Sequence, residues 1–141
     1  MQEISSSLHY AVEMFSIMSL LAGDEPEDTR KHQRRPISLR EVVTLNSEMS
    51  INFLEQIARK LRIAGILEVV RGPGGGYLIN KAFHDITIGE ILDADILRNP
   101  NRAKKKTPNF KTKDALQDIY LEQINKFRDT KLTNIEGFGK K

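Results

Sequence analysis

The segment most informative about the fold of this 141-residue chain is ILEVVRGPGGGYLI, residues 66–79. Two runs rich in β-branched and aromatic residues, 66–70 and 77–79, flank a turn that holds four glycines, and this pattern predicts a β-hairpin. The glycines predict a turn with positive φ angles and no bulky side chains. A phosphate-binding P-loop would end in Gly-Lys-Ser/Thr and continue as a helix, so the pattern argues against nucleotide binding.

Two short helices are predicted just before the hairpin. Ser38 and Glu41 have the spacing of a capping box, which predicts a helix over residues 39–45. Ser50 is expected to cap a second helix that stops at Gly65. The apolar residues of this second helix recur at helical spacing and form its inward stripe: Ile51, Leu54, Ile57, Ala58 and Leu61. Two capped helices followed by a hairpin have the order of a winged helix-turn-helix, whose second helix enters the major groove of DNA.

The predicted N-terminal helix, residues 8–22, carries two adjacent apolar stripes. The first stripe is Leu8, Ala11, Val12, Phe15 and Met18, and the second is Tyr10, Met14, Ile17 and Leu21. Either both stripes lie in the core, or the second stripe meets another subunit. Residues 23–36 follow with four acidic and then four basic residues and no aliphatic residue, which predicts an exposed, mobile loop.

The C-terminal half begins with a second capping-box spacing, Thr87 and Glu90, which predicts a helix that buries Ile88, Ile91 and Leu92. Residues 98–113 contain seven Lys or Arg and no acid, so we expect a basic linker over residues 98–111. Beyond it, a long amphipathic helix isolated from the compact part is predicted.

The apolar stripe of that last helix has no predicted partner within the compact domain, so we expect it to form a homodimer. Its residues are Leu116, Ile119, Tyr120, Ile124 and Phe127. The predicted organisation is a winged helix-turn-helix domain over residues 1–97, the linker, and a dimerisation helix with a tail over residues 112–141. The predicted fold class is therefore mainly α with a small β-hairpin.

Several residues of the second short helix lie outside its inward stripe and suit contacts with base edges, thymine methyls and phosphates. They are Asn52, Phe53, Gln56, Arg59 and Lys60. An ordinary solvated polar face is the alternative interpretation. In the hairpin, we expect Arg71 to reach a phosphate or the minor groove, while Gly74 and Gly75 let the backbone approach DNA closely.

Composition excludes several classes of protein. The net charge of +3 and pI of about 9.2 permit a nucleic-acid partner without requiring one. The absence of cysteine excludes disulfides, Cys nucleophiles and thiolate-bound metal or iron–sulfur sites. His9, His32 and His84 are scattered without metal-ligand spacing, and no triad or carboxylate pair stands out, so we expect no catalytic residue, metal or cofactor. The apolar N-terminal run lacks a basic flank and is interrupted by polar residues, so we expect a cytoplasmic protein without a membrane partner.

Residues 49–92 resemble the IscR/NsrR/CymR-type family of bacterial repressors, the Rrf-two family, in the segments FLEQI, ARKLRIAGIL, RGPGGGY and ITIGEIL. The opening SSSLHYAVEMF and the long helix followed by LTNIE also resemble that family. The resemblance implies a homodimer whose long helices cross and whose two winged domains bind an imperfect palindrome in double-stranded DNA. It also implies that Ser50, Asn52, Phe53 and Glu55 stand near base edges and that Arg71 stands near the minor groove.

The chain departs from the family at two places. Many members hold an iron–sulfur cluster on three cysteines between the helix after the wing and the dimerisation helix, where this chain has its Lys-rich segment. The family's Lys-Gly-Arg in the opening helix is replaced by Ser7, Leu8 and His9, which removes two phosphate contacts. The replacement charge is expected from the linker lysines or from the basic half of the loop: Arg30, Lys31, Arg34 and Arg35.

These observations predict a sequence-specific DNA-binding repressor without an iron–sulfur cluster. Two alternatives belong to other classes. One is a protein-interaction module whose DNA binding is controlled by a regulatory partner protein. The other is a sensor that binds a small-molecule effector in a cavity between the opening helix and the long helix.

Overall fold

The computed structural model describes residues 6–22, 35–97 and 111–140. Within these residues the chain forms five α-helices and one antiparallel hairpin: α1 (Ser6–Ala22), α2 (Leu39–Leu45), α3 (Ile51–Ile63), β1 (Leu67–Val70), β2 (Gly76–Ile79), α4 (Ile88–Leu97) and α5 (Lys113–Arg128). Short 3-10 turns lie at Phe83–Asp85 and Leu132–Asn134. The predicted mainly α fold with a small hairpin is confirmed.

The predicted helix caps are present at the helix-turn-helix. Ser38 Oγ accepts the Glu41 N–H at 3.2 Å, and the Glu41 carboxylate accepts the Ser38 N–H at 2.8 Å, which completes the capping box of α2. Ser50 Oγ accepts the Phe53 N–H at 3.3 Å at the start of α3. Gly65, with φ of +83°, lies just beyond the C-terminal end of α3. These contacts satisfy backbone groups that the helix ends leave without partners, so short local signals determine both helices.

The core lies where α1, α3 and α4 pack together and where α2 covers α1 and α3. Met14 and Phe15 of α1 are fully buried, and Ile17 is nearly so. Met14 and Ile17 belong to the second apolar stripe, so this stripe contributes to the chain's own core. Ile88 and Ile91 of α4 are buried as predicted, whereas Leu92 is half-buried.

Ile51 corrects the prediction for the inward stripe of α3. The other four members of the stripe are buried, but Ile51 is 37% exposed. Its spacing puts it in line with the stripe, yet it lies in the first turn of α3, where it faces the cleft between α3 and the hairpin. Periodicity gives the face of a helix but not the point along the helix at which the core ends.

The hairpin holds a third extended segment that the sequence analysis did not predict. Val70 of β1 pairs with Gly76 of β2. Ile37 then exchanges two backbone hydrogen bonds with Tyr77, at 3.0 and 2.8 Å. A Cβ on Gly76 would lie 2.5 Å from the carbonyl carbon and oxygen of Ile37, far inside van der Waals contact. Gly76 therefore allows the segment before α2 to lie against the hairpin.

The long helix α5 is anchored at its C-terminal end, which corrects the prediction of an isolated helix. Arg128 of α5 forms an ion pair with Asp93 of α4 at 2.7 Å. The chain after α5 then packs on the winged domain, where Leu132 is fully buried and donates its N–H to Ile86 O at 3.0 Å. Further along, the Gly139 N–H donates to Ser16 Oγ of α1 at 2.9 Å.

Two predicted segments fall largely outside the described residues. Of the predicted mobile loop 23–36, only Arg35 and Pro36 are described, and of the predicted linker 98–111, only Lys111. The division into domain, linker and dimerisation segment stays a prediction. Over the three described ranges, no helix is both long enough and apolar enough to cross a membrane.

Candidate nucleic-acid interface

The outward face of α3 is polar and accessible. Of the residues predicted to contact DNA in this region, the exposed ones are Ser50, Asn52, Glu55, Gln56 and Arg59. Asn52, Gln56 and Arg59 are spaced four and three residues apart, so they share one line along the helix. The helix thus presents two amide side chains and a guanidinium together on its solvent side.

An open cleft of about 670 Å³ separates this helix from the hairpin. The predicted residues Glu55, Arg59 and Arg71 line it. Arg40 of α2 and Arg62 of α3 also line it, and the sequence analysis had not singled them out. The spacing of Arg62, one turn after Arg59, was a signal that could have identified it. Nothing in the sequence around Arg40 indicates that α2 brings it to the same cleft.

The tip of the hairpin, residues 72–75, holds three glycines and Pro73 and carries no long side chain. Gly72 and Gly74 have φ of +97° and +73°, conformations that residues with a side chain rarely adopt. The Gly75 N–H donates to Gly72 O at 2.9 Å, and a Cβ on Gly75 would lie 2.2 Å from Val70 O. Arg71 is exposed at the base of this turn. A duplex can therefore approach the turn closely while Arg71 extends beside it.

Two predicted contacts lie on another side of α3. Phe53 packs edge-to-face against Tyr10 of α1, with ring centroids 4.6 Å apart, and is half-buried. Lys60 is also half-buried and lines a small cavity next to α1 and α4. Neither residue is among those that line the cleft. Their part in DNA contact stays a prediction.

Positively charged side chains predominate in the lining of the cleft. Four guanidinium groups line it, from Arg40, Arg59, Arg62 and Arg71, against the single carboxylate of Glu55. Within the residues that the structure describes, the ion pairs involve other side chains, and none of these four arginines is paired. Because unpaired like charges repel one another, such a cluster suits an anionic partner.

The predicted dimerisation residues lie on α5, where much of the apolar surface is open in the single chain. Leu116 is 66% exposed and Ile119 is 60% exposed. Phe127 is exposed and Ile124 is half-buried, while nothing is described of the Tyr120 side chain. Leu121 is exposed as well and was not predicted. An apolar helix face of this size is typical of an interface.

The comparisons with known proteins agree with this geometry. Residues 4–135 match the family model described as Rrf2, iron-dependent transcriptional regulator. The HTH-type transcriptional regulator IscR of Cereibacter sphaeroides is 45% identical over 58 residues, which are 41% of this chain and 37% of the relative. IscR of Vibrio campbellii is 40% identical over 62 residues, 44% of this chain and 36% of the relative. The matched segment thus spans little more than a third of these curated relatives.

Solved structures resemble the whole chain. IscR of T. potens has a TM-score of 0.66 at 22% identity, covering 94% of this chain and 85% of its own. CymR, the global cysteine regulator of B. subtilis, has a TM-score of 0.67 at 24% identity, covering 95% of both chains. A transcriptional regulator structure from Listeria innocua has a TM-score of 0.68 at 25% identity, covering 94% of this chain and 84% of its own. These similarities establish the winged-helix fold.

The residues of this chain do not fit the thiolate-bound iron–sulfur clusters of many members. The 141 residues contain no cysteine to supply a thiolate. Over the described residues, no group of three His, Asp or Glu side chains is placed to hold a metal ion. Asp93, an acid near the junction of α4 and α5, is bound by Arg128 at 2.7 Å.

The match to the family model covers most of the chain, and the curated relatives are transcriptional regulators rather than enzymes. The fold, the polar face of α3 and the glycine-rich hairpin agree with that match. The chain therefore belongs to the Rrf2 family of transcriptional regulators, with a winged helix-turn-helix fold.

Proposed function

We propose that this protein is a sequence-specific DNA-binding repressor that binds an imperfect palindrome as a homodimer and needs no iron–sulfur cluster. One observation carries the proposal. The exposed polar face of α3 borders a cleft lined by four arginines that form no ion pair with any described residue. The glycine turn of the hairpin stands on the other side of that cleft. Side chains that suit bases and side chains that suit phosphates thus lie on one side of the molecule, which supports the proposal.

In this proposal α3 lies in the major groove. The amides of Asn52 and Gln56 have the geometry to bind adenine, and Arg59 suits the O6 and N7 atoms of guanine. Glu55 is an acceptor for the N4 amino group of cytosine. Ser50 stands at the N-terminal end of α3, where recognition helices of this kind contact bases.

The hairpin then lies over the sugar–phosphate backbone or the minor groove. Arg71 supplies the cation there, because the narrow minor groove attracts guanidinium groups. Gly74 and Gly75 leave room for the duplex at the turn, since no side chain projects from them.

Dimerisation through the exposed face of α5 explains the palindrome. A homodimer with two-fold symmetry presents two copies of α3 to DNA, so its preferred site has two related half-sites. The exposed side chains of Leu116 and Ile119 give this helix the apolar surface that a stable interface requires.

The alternatives make different demands on the molecule. A small-molecule effector between α1 and α5 stays a prediction, because the small cavity beside α1 is lined by α3 and α4 instead. That cavity has a volume of about 20 Å³, room for about one water molecule. Control by a regulatory partner protein predicts a second protein that co-purifies in fixed proportion and changes DNA affinity. We favour direct sequence recognition because the polar face and the cleft belong to this chain alone.

Selection from a random pool of duplex DNA tests the proposed function. The purified protein should enrich fragments with two inverted half-sites about one helical turn, ~10 base pairs, apart. A pool that shows no enriched sequence after repeated rounds would contradict sequence-specific binding. Enrichment of a single half-site without its inverted repeat would contradict the symmetric dimer.

A further inference from the structure

We propose that Arg40 and Arg62 bind DNA phosphates in the cleft between α3 and the hairpin, which Arg59 and Arg71 also line. This proposal rests on the proposed function and extends it by assigning two further residues and their ligand. The ligand is the phosphodiester backbone of a duplex, which is read through its charge rather than its sequence.

Arg40 gives the strongest indication, because its position is unfavourable for the isolated helix. It is the second residue of α2, and a cation in the first turn opposes the helix dipole. The adjacent Glu41 does not neutralise it, since one Glu41 oxygen accepts from Arg35 at 2.8 Å and the other accepts the Ser38 N–H at 2.8 Å. Arg40 is exposed and lines the cleft. A residue that is unfavourable for the stability of its own helix in this way is expected at a functional site.

Arg62 lines the same cleft from α3. It lies in the last turn of α3, one turn beyond Arg59, and its side chain is exposed towards the cleft. Lys60, two residues earlier, lines the cavity beside α1 instead. The cationic side chains of α3 thus divide between two faces, and the arginines are those that face the hairpin.

The shape of the cleft strengthens its field. Leu39, Ile51 and Val69 contribute apolar surface to its walls. Charges of one sign on low-dielectric walls focus the electric field and raise the local concentration of an anion. The planar guanidinium also matches phosphate oxygens in a two-hydrogen-bond geometry that an ammonium group lacks.

For Arg40 and Arg62, which lie on α2 and in the last turn of α3, we expect contact with the DNA backbone rather than with bases. When α3 lies in the major groove, the region between the helix and the hairpin faces the strand that borders the groove. Gly72 and Gly76 also line the cleft and contribute no side chain that would block the approach of a strand.

Salt dependence of binding is the test. The dissociation constants of wild type, Arg40→Gln, Arg62→Gln and the double variant are measured between about 50 and 200 mM salt, on the selected operator and on an unrelated duplex. Each lost phosphate contact should reduce the slope of log K against log salt by about 0.9 per protomer. The weakening should be the same factor on both duplexes, because phosphates are present in every sequence.

Two further variants separate a local contact from a change in net charge. Lys140→Gln removes one exposed cation outside the cleft and should leave the slope close to that of wild type. Arg40→Lys keeps the charge and should retain most of the slope while binding more weakly. Thermal unfolding should show no loss of stability in any variant, because both arginines are exposed and Arg40→Gln also removes a cation from the first turn of α2.

The outcomes distinguish this proposal from the proposed function. If wild type selects an operator but the double variant keeps the wild-type slope, the phosphate assignment is wrong and the proposed function stands. If Lys140→Gln lowers the slope as much as Arg40→Gln does, general charge explains the effect and the assignment is again wrong. If wild type enriches no sequence and binds no duplex, the proposed function itself fails.

Discussion

Arg128 Nη2 of α5 donates to Asp93 Oδ1 of α4 at 2.7 Å, and this ion pair joins the C-terminal end of the long helix to the winged domain. Gly89 of α4 lies under the same arginine. A Cβ at Gly89 would lie 3.1 Å from both Arg128 Cβ and the Arg128 carbonyl oxygen. The close approach of the two helices therefore depends on a glycine as well as on an ion pair.

Gly89→Ala is expected to reduce the free energy of unfolding by about 1 kcal/mol, because overpacking outweighs the better helix propensity of alanine. Asp93→Asn should cost less than about 1 kcal/mol, since the pair is partly exposed to solvent. Urea unfolding measures both values at equal protein concentration. A Gly89→Ala variant more stable than wild type would show that α5 does not pack as closely as described.

The capping box of α2 gives stability a pH dependence. The hydrogen bond from the Ser38 backbone N–H and the contact with Arg35 lower the pKa of Glu41 below its ordinary value of 4.5. The folded protein thus favours the ionised carboxylate, and the stabilisation is present above the pKa of the unfolded chain. It is lost as the pH falls below about 5 and through the pKa of the folded state.

Glu41→Gln should therefore reduce the loss of stability between neutral pH and about pH 3, while lowering stability at neutral pH by about 0.5–1 kcal/mol. Thermal unfolding at a series of pH values measures this. Glu48→Gln, which removes an exposed carboxylate outside the capping box, is the matched control. Equal pH profiles for the two variants would contradict a role for the box in acid sensitivity.

Ile119→Asp should convert the proposed homodimer to monomers. The side chain is 60% exposed in the single chain, and a buried carboxylate at an apolar interface carries a large desolvation cost. Sedimentation at micromolar concentration gives the mass directly. Asp118→Asn, at an exposed site on the opposite side of the same helix, should remain dimeric. Wild type that sediments as a monomer would rule out the proposed interface.

Arg71→Ala and Gln56→Ala should have different effects on DNA binding. Loss of the Arg71 cation should weaken binding to all duplexes and flatten the salt dependence by about one unit of slope per protomer. Loss of the Gln56 amide should cost about 1–3 kcal/mol at one base position and leave other sequences unaffected. Binding to operator variants with single base changes separates the two effects. If both proteins bind every variant like wild type, α3 and the hairpin do not dock as proposed.

Iron should have no effect on DNA binding. The family's clusters require thiolates, and this chain has no cysteine, so protein reconstituted anaerobically with iron and sulfide should stay colourless. Its operator affinity should equal that of the metal-free protein. Visible absorbance of an iron–sulfur chromophore, with an affinity that changes when the chromophore is lost, would overturn the cluster-free proposal.

Particular elements show how far the sequence predicts the site. Asn52, Gln56 and Arg59 share the outward face of α3 as helical spacing predicts. Phe53 follows the same helix but packs on Tyr10 of α1, a contact that depends on where another helix lies. Arg40 joins the cleft only because α2 packs beside α3, and no pattern near Arg40 encodes that contact.

Signals that lie within a few residues of one another in the sequence are sufficient to predict several elements. Ser38 with Glu41, Ser50 and Gly65 set the helix ends through hydrogen bonds and φ angles within a few residues, and the glycines between Arg71 and Tyr77 set the hairpin turn. Two other contacts are apparent only in the folded chain. Ile37 pairs with Tyr77, and the C-terminal tail packs on the winged domain, where Leu132 is buried. The two groups differ in how far apart in sequence the contacting residues are. Caps, turns and periodicity depend on neighbours in the chain, whereas these contacts join segments far apart in sequence and depend on the surfaces that packing brings together.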